Sequence, residues 1–81
     1  MKLEIISPHG TIFAGDVTAV SLPGKFSAFE VLNNHAPIIS SLDKGNVTYR
    51  TESGERTLAV DGGFVEVENN VITVCVENVL E

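Results

Sequence analysis

The residues best equipped for chemistry are His35, Asp61 and several serines, the three residue types of a hydrolytic triad. A triad needs its nucleophile, base and orienting carboxylate within hydrogen-bonding reach, and the sequence has no Gly-x-Ser-x-Gly motif to present a nucleophile. Two histidines and one cysteine are also a poor supply of metal ligands. We therefore predict no catalytic residue, no metal ligand and no enzymatic activity. Pro37 restricts Ala36 to an extended conformation, so His35 is expected to form a hydrogen bond at this bend or to contact a partner.

Gly24 and the pair Gly62 and Gly63 are of the residue type from which phosphate-binding loops are built. Such a loop opens a helix whose N-terminal amides face the anion. Strand-forming residues follow these glycines instead. We therefore predict a β-bulge or a tight corner of a sheet at these positions, and no bound cofactor.

Lys44 raises a third kind of chemistry, because lipoyl- and biotin-carrier domains are acidic all-β modules of about this size with a modifiable lysine at a hairpin tip. Those domains show quasi-twofold sequence symmetry about the lysine, and we find none here. Lys44 and Gly45 are interpreted more simply as a turn. A carrier domain modified on Lys44 stays open as the alternative, which a mass increment on that lysine would reveal. A stand-alone sandwich that binds a small molecule is a second alternative.

The length and composition predict one small domain that spans residues 1–81. A chain of this size buries roughly 60% of the surface that its unfolded form exposes, and a hydrophobic content of 43% is too high for disorder. No apolar run approaches the ~20 residues that cross a bilayer, so we expect a soluble domain without direct membrane insertion. The net charge of −6 argues against nucleic acid and favours a basic protein partner. The single cysteine, Cys75, excludes an internal disulfide and is expected to be a small buried hydrophobe in a reducing compartment.

Alternation of apolar and polar residues recurs along the whole chain, and no helical period persists for three turns. The apolar members of the alternating runs are Leu3, Ile5, Val47, Tyr49, Leu58, Val60, Val65, Val67, Ile72, Val74 and Val76. Turn residues separate the runs every 8 to 12 positions, and the pair Asn69 and Asn70 suits a two-residue hairpin turn with positive φ. The pattern predicts an all-β domain, an antiparallel sandwich or barrel.

Three segments of the sequence are similar to those of one protein family. Residues 22–37 read LPGKFSAFEVLNNHAP, the chain begins MKLEIISP, and residues 61–67 read DGGFVEV. They resemble the signature of the epsilon subunit of rotary (F-type) ATP synthases, which is called delta in mitochondria. Ser27 and Glu30 stand where the family usually has glycine, and Asn33 stands where it has proline. The resemblance implies that all three departures lie in the loop that family members direct toward the membrane ring.

The resemblance implies a two-sheet antiparallel β-sandwich that is a non-catalytic rotor part, in the central stalk of a proton-translocating ATP synthase. It would link the gamma subunit to the polar loops of the membrane c-ring and so couple ion flow to ATP synthesis. The complex would lie at the cytoplasmic face of the bacterial inner membrane. The implied contacts with gamma are Val31, His35, Ala36, Pro37 and Ile38, and the implied ring-facing loop is Lys25, Phe26, Ser27 and Ala28.

Two further expectations follow from the resemblance. The helical hairpin that usually follows this domain is not found in the sequence, so we expect coupling without inhibition of ATP hydrolysis through such helices. Phe29 matches the family's phenylalanine and is expected to be buried, whereas Phe26 stands at a variable position and is expected to be exposed.

Overall fold

The computed structural model describes residues 1–80, which form ten β-strands and no helix. The strands are β1 (Lys2–Ser7), β2 (Gly10–Asp16), β3 (Ala19–Leu22), β4 (Phe29–Leu32), β5 (Ile38–Leu42), β6 (Gly45–Thr51), β7 (Gly54–Val60), β8 (Gly63–Glu68), β9 (Val71–Val76) and β10 (Val79–Leu80). The all-β fold that the alternating pattern predicts is confirmed.

The strands form two five-stranded sheets that enclose a hydrophobic core. Sheet A has the order β2-β1-β9-β8-β5, and sheet B has the order β10-β7-β6-β3-β4. Successive side chains of a strand point to opposite faces, so each alternating run places one apolar row in the core. The buried cluster contains Leu3, Ile5, Val17, Val20, Leu22, Val31, Leu42, Val47, Val60, Val65, Val67, Ile72, Val74 and Val76.

One pairing in the otherwise antiparallel sandwich is parallel. β1 lies parallel to β9, with Lys2 opposite Val71 and Ile6 opposite Cys75, whereas the other strand pairings in the described part of the chain are antiparallel. The alternating pattern defines which face of a strand is buried, but it carries no information about the direction of a neighbour that is distant in sequence. This pairing joins the β1–β2 hairpin to the β8–β9 hairpin and completes sheet A.

Tight two-residue turns connect the strands of the β8–β9 and β6–β7 hairpins. Asn69 and Asn70 have φ of 53° and 64°, the pattern of a type I′ turn. The prediction of a hairpin turn at the two asparagines is therefore confirmed. The β6–β7 turn is followed by Gly54 at φ 128°, a conformation that glycine adopts without a side-chain clash.

Gly62 and Gly63 form a tight corner at the start of β8. Their φ angles are 136° and 145°, and a Cβ on Gly63 would overlap the carbonyl oxygen of Cys75. Gly63 pairs with Leu42 of β5 on one side and with Val76 of β9 on the other. The corner agrees with the structural role predicted for these glycines, since a strand follows them and not a helix.

Candidate functional site

Residues 25–28 form an exposed loop at one end of the sandwich, between β3 and β4. Phe26 is 95% exposed, as expected from its position in the sequence. The backbone N–H of Lys25 donates a hydrogen bond to the carbonyl of Ser41 at 3.0 Å, and the Ser27 hydroxyl donates to the carbonyl of Ala28 at 3.1 Å. The loop is thus attached to β5 at its base and presents an aromatic ring at its tip.

The base of this loop is closely packed. Gly24 pairs with Leu42 in an isolated bridge, and the N–H of Asp43 donates to the carbonyl of Pro23 at 2.8 Å. A Cβ on Gly24 would overlap the backbone carbonyl oxygen of Ser27 and approach the ring of Phe29 to 2.9 Å, so only glycine fits at this position. Phe29 itself is half-buried and packs against the core, so the side chain expected to be buried is only partly so.

His35 lies at the opposite end of β4, in the connection to β5, and Asn33 lies in the same connection. Since Glu30 lies within β4, only Ser27 of the three departures from the family pattern belongs to the loop of residues 25–28, and the placement of all three in that loop is wrong. Four residues of β4 separate the two ends, a length of about 13 Å at ~3.3 Å per residue. The His35 N–H donates to the carbonyl of Leu32 at 3.1 Å, and His35 Nδ1 lies 2.7 Å from the carbonyl oxygen of Ala36. A carbonyl oxygen only accepts, so Nδ1 carries the proton and donates. The hydrogen bond expected at this bend is therefore present, with Ala36 and Pro37 exposed beside it.

Sequence similarity implies that Val31 and Ile38 contact gamma, but the side chains of both residues face inward. Val31 is fully buried, because the inward-facing position of β4 lies over the core. Ile38 is half-buried and packs against the same core. Ile39 is the outward-facing neighbour in β5 and is 75% exposed. The structure thus brings His35, Ala36 and Pro37 together at the surface, excludes Val31 from it, and adds Ile39.

The outer face of sheet A combines apolar and acidic side chains. Phe64 is 51% exposed and, in the register of the sheet, lies beside Cys75, which lies beside Ile6. Cys75 is half-buried on this face and not in the core. With neighbouring loop residues, these three side chains line an open depression of about 600 Å³. The next row of the face runs Ile39, Glu66, Thr73, Glu4, and the row after it contains Glu68, Val71 and Lys2.

Ile39 and Phe64 are exposed apolar residues that the sequence analysis did not name as contact residues. Two adjacent isoleucines in a strand cannot both face the core, because the side-chain period is two. The dipeptide Ile38-Ile39 therefore indicates that one of the two isoleucines faces outward. Phe64 precedes Val65 in its strand, so an inward-facing Val65 indicates an outward-facing Phe64.

The outer face of sheet B has a different character. The hydroxyls of Thr48 and Thr57 lie 3.2 Å apart, and Arg50 and Glu55 form an exposed ion pair at 3.8 Å. Opposite-charge and threonine pairs of this kind are typical of a solvent-facing sheet surface. Leu32, which is 52% exposed, is the one large hydrophobic residue of β3, β4, β6, β7 and β10 with substantial exposure. Sheet A therefore exposes more large apolar side chains than sheet B.

The residues whose types suggested a catalytic triad do not form one. His35 bonds to Ala36, whereas the Asp61 carboxylate accepts hydrogen bonds from the Asn78 backbone N–H at 3.1 Å and from its side-chain amide at 3.0 Å. Residues 1–80 contain no group of three or more His, Cys, Asp or Glu residues arranged to hold a metal ion. The same residues include no helix long and apolar enough to span a bilayer. Lys44 lies exposed in the turn between β5 and β6.

Asp61 should make folding sensitive to acid. The Asn78 side-chain amide and then its backbone N–H hold the pKa of Asp61 below its usual value of 3.8. A lowered pKa in the folded state contributes stability that is present above the unfolded pKa and is lost as pH falls through the folded pKa. We expect the free energy of unfolding to decrease when the pH is lowered below about 4. This decrease should be smaller in Asp61→Asn than in Asp43→Asn, which is a matched change on a nearby turn. Urea denaturation at pH 6 and pH 3 is the measurement, and equal pH dependence in the two variants would refute this role.

The β-sandwich fold of this chain is also found in chains of two mitochondrial ATP synthase structures. A chain from the "Cryo-EM structure of Tetrahymena thermophila mitochondrial ATP synthase - central stalk/cring" matches all of this chain and 66% of its own, with a TM-score of 0.85 and 15% identity. A chain from the Euglena gracilis mitochondrial ATP synthase matches 96% of this chain and 51% of its own, with a TM-score of 0.88 and 20% identity. At these identities the likeness establishes the fold.

The family follows from sequence comparison. Residues 1–81 match the family described as "ATP synthase, Delta/Epsilon chain, beta-sandwich domain". The ATP synthase epsilon chain of Sulfurovum sp. (strain NBC37-1) is 41% identical over 78 residues, which is 95% of this chain and 61% of the relative. The chloroplastic ATP synthase epsilon chain of Cyanidioschyzon merolae is 37% identical over 81 residues, which is 100% of this chain and 62% of the relative. The chain belongs to the delta/epsilon family of ATP synthase, as its sequence segments predicted.

The match favours the ATP synthase family over a lipoyl or biotin carrier modified on Lys44. The chain spans about three fifths of the length of the curated relatives it matches, for example 61% of the epsilon chain of Leptospira interrogans at 33% identity.

Proposed function

We propose that this chain is a non-catalytic rotor domain that links the gamma subunit to the c-ring of a proton-translocating ATP synthase. The observation that carries the proposal is the placement of two exposed surfaces at opposite ends of one sandwich: the loop of residues 25–28 and the His35 bend. A connector between two moving parts needs two separate contact surfaces held by a stiff body. The proposed location is peripheral, at the cytoplasmic face of the bacterial inner membrane.

The gamma subunit would contact the His35 bend and the adjoining outer face of sheet A. His35, Ala36 and Pro37 lead directly into β5, where Ile39 supplies an exposed apolar anchor. The domain has Cα extents of 28 × 27 × 19 Å, so one broad face is large enough for a standard contact of about 800 Å² per partner. Apolar anchors at the centre of such a contact supply most of its binding energy.

The charge of this face indicates the chemistry of the partner surface. Glu66 and Glu4 flank Thr73 in one row, and Glu68 lies in the next row, where Lys2 is the one outward-facing cation of β1, β8 and β9. An acidic face steers and orients a basic partner. The gamma surface that meets it would therefore carry lysine or arginine residues around an apolar centre.

The polar loops of the c-ring would meet the opposite end, through Lys25, Phe26, Ser27 and Ala28. Phe26 is an aromatic side chain with almost no contact in the isolated domain, which is typical of a residue that is buried by a partner. Lys25 adds a positive charge beside it. Both ends are attached to β5, through the Lys25–Ser41 hydrogen bond at one end and the short His35 connection at the other.

The test is a map of neighbours in the assembled ATP synthase. Single-cysteine variants Phe26→Cys, Ile39→Cys and Thr57→Cys are made in a Cys75→Ser background and labelled with a photo-crosslinker. We expect Phe26→Cys to crosslink to the c subunit, Ile39→Cys to crosslink to gamma, and Thr57→Cys, on the outer face of sheet B, to crosslink to neither. Crosslinking of Phe26→Cys to gamma alone, or none from Ile39→Cys, would overturn the assignment of the two surfaces.

A further inference from the structure

The turn that carries His35 lacks the residues that such turns prefer. Leu32 and His35 are joined by a hydrogen bond across Asn33 and Asn34, and Asn34 has φ of 65°. Positive φ at the third residue is the mark of a type II turn, in which proline at the second position and glycine at the third supply local preorganisation. Asparagine tolerates this conformation but does not restrict the unfolded turn as proline does. The order of this turn must therefore come from other contacts.

Asn70 supplies those contacts from the neighbouring hairpin. Its side-chain Oδ1 accepts a hydrogen bond from the Asn34 backbone N–H at 2.8 Å, and its Nδ2 donates to Asn33 Oδ1 at 2.9 Å. Both ends of the amide are thus used, one for each residue at the centre of the turn. The β4 strand before this turn belongs to sheet B, whereas Asn70 lies in the β8–β9 turn of sheet A. The side-chain amide of Asn70 therefore connects the β8–β9 turn of sheet A to the turn that follows β4 of sheet B.

The backbone of Asn70 is held as firmly as its side chain. Its φ of 64° is part of the type I′ turn, and its carbonyl accepts a hydrogen bond from the Lys2 N–H at 3.1 Å. The position of the side-chain amide is consequently determined by strands β1, β8 and β9, and the turn of residues 32–35 takes its position from that amide.

We propose that Asn70 is a positioning residue for the His35 docking surface. The inference rests on the proposed contact between that surface and gamma. Asn70 selects the turn conformation in which His35, Ala36 and Pro37 are presented, and it does so without touching the partner itself. If only a fraction of molecules holds the binding conformation, the apparent dissociation constant rises in inverse proportion to that fraction.

A pair of glycine variants separates this role from stability of the hairpin. Asn69→Gly and Asn70→Gly both place glycine at a positive φ of the same turn, which glycine adopts readily. Within residues 1–80 the Asn69 side chain makes no hydrogen bond, whereas Asn70→Gly removes the two contacts to the turn. We expect both variants to keep the thermal midpoint of the wild type within a few degrees, and only Asn70→Gly to weaken binding of purified gamma, by about tenfold.

Amide hydrogen exchange of the 81-residue chain gives a readout that is independent of gamma. The Asn34 N–H should exchange about tenfold faster in Asn70→Gly and at the wild-type rate in Asn69→Gly. Unchanged Asn34 exchange in Asn70→Gly would overturn the positioning role, even if the wild-type chain bound gamma. Failure of the wild-type chain to bind gamma, with faster Asn34 exchange in Asn70→Gly, would instead refute the docking partner and keep the role of Asn70 in ordering the turn.

Rescue by a local constraint completes the test. Asn33→Pro in the Asn70→Gly background places proline at the second position of the turn, after an extended strand residue, which is the geometry proline favours. If Asn70 acts by ordering this turn, the double variant should regain most of the gamma affinity of the wild type. Equal affinity of Asn69→Gly and Asn70→Gly for gamma would contradict the inference.

Discussion

Replacement of Gly63 by alanine is expected to lower the thermal midpoint of unfolding by roughly 12–24 °C. The added Cβ would overlap the carbonyl oxygen of Cys75, which is backbone and cannot rotate away. The φ of 145° is also a conformation that side chains rarely adopt. A combined cost of about 3 kcal/mol corresponds to roughly 12–24 °C in a domain of this size. The measurement is differential scanning calorimetry of the wild type and the variant.

Gly10→Ala is the matched control for the backbone term. Gly10 has φ of 126°, but a Cβ there would meet no atom within 4 Å. We expect Gly10→Ala to lower the free energy of unfolding only by the contribution of the strained φ, about 1–2 kcal/mol. If Gly63→Ala and Gly10→Ala lowered the midpoint equally, close approach of β8 to β9 would not be the reason for glycine at position 63.

The Gly63 corner also bears on the proposed function. Leu42 pairs with Gly63 on one side and bridges to Gly24 on the other, so a displacement of β8 would pass to the base of the loop of residues 25–28. A variant that folds but has a shifted corner is therefore expected to disturb the proposed ring-facing end more than the His35 end.

The strands and their buried faces could largely be predicted from the sequence, because a period of two is readable in each segment separately. The alternation assigns Val65, Val67, Ile72 and Val74 to the buried faces of their strands, and all four are buried. The turn at Asn69 was predicted on the same local grounds. The parallel pairing of β1 with β9 could not be predicted from local patterns, since it depends on how two hairpins far apart in sequence meet.

The candidate site was only partly predictable for a related reason. Sequence similarity identifies which segments correspond, but it does not show the orientation of each side chain in a short strand. The resemblance therefore implies Val31 as a gamma contact although its side chain faces the core, and it does not point to Ile39, whose side chain faces solvent. The contact between Asn70 and the His35 turn joins residues more than 30 positions apart, so no local pattern announces it.

The second large effect is expected at the proposed gamma surface. Ile39→Asp removes the most exposed apolar side chain of β5 and places a carboxylate at the apolar centre of the proposed contact, where burial of a charge is costly. Because Ile39 is 75% exposed, the change should leave the folded domain nearly as stable as before. Loss of a central anchor costs about 2 kcal/mol or more, which is roughly a thirtyfold loss of affinity.

Thr57→Asp is the control, because it introduces the same charge on the outer face of sheet B, away from the proposed contact. Circular dichroism should show the same β-sheet spectrum for the wild type and both variants. Any loss of binding can then be assigned to the surface and not to unfolding.

The most direct measurement is isothermal titration of purified gamma with the wild-type chain, Ile39→Asp and Thr57→Asp. If the domain docks through the His35 bend and the outer face of sheet A, the wild type and Thr57→Asp should bind gamma with equal affinity. Ile39→Asp should bind gamma at least about thirtyfold more weakly. Wild-type affinity in Ile39→Asp, or loss of binding in Thr57→Asp alone, would contradict this account.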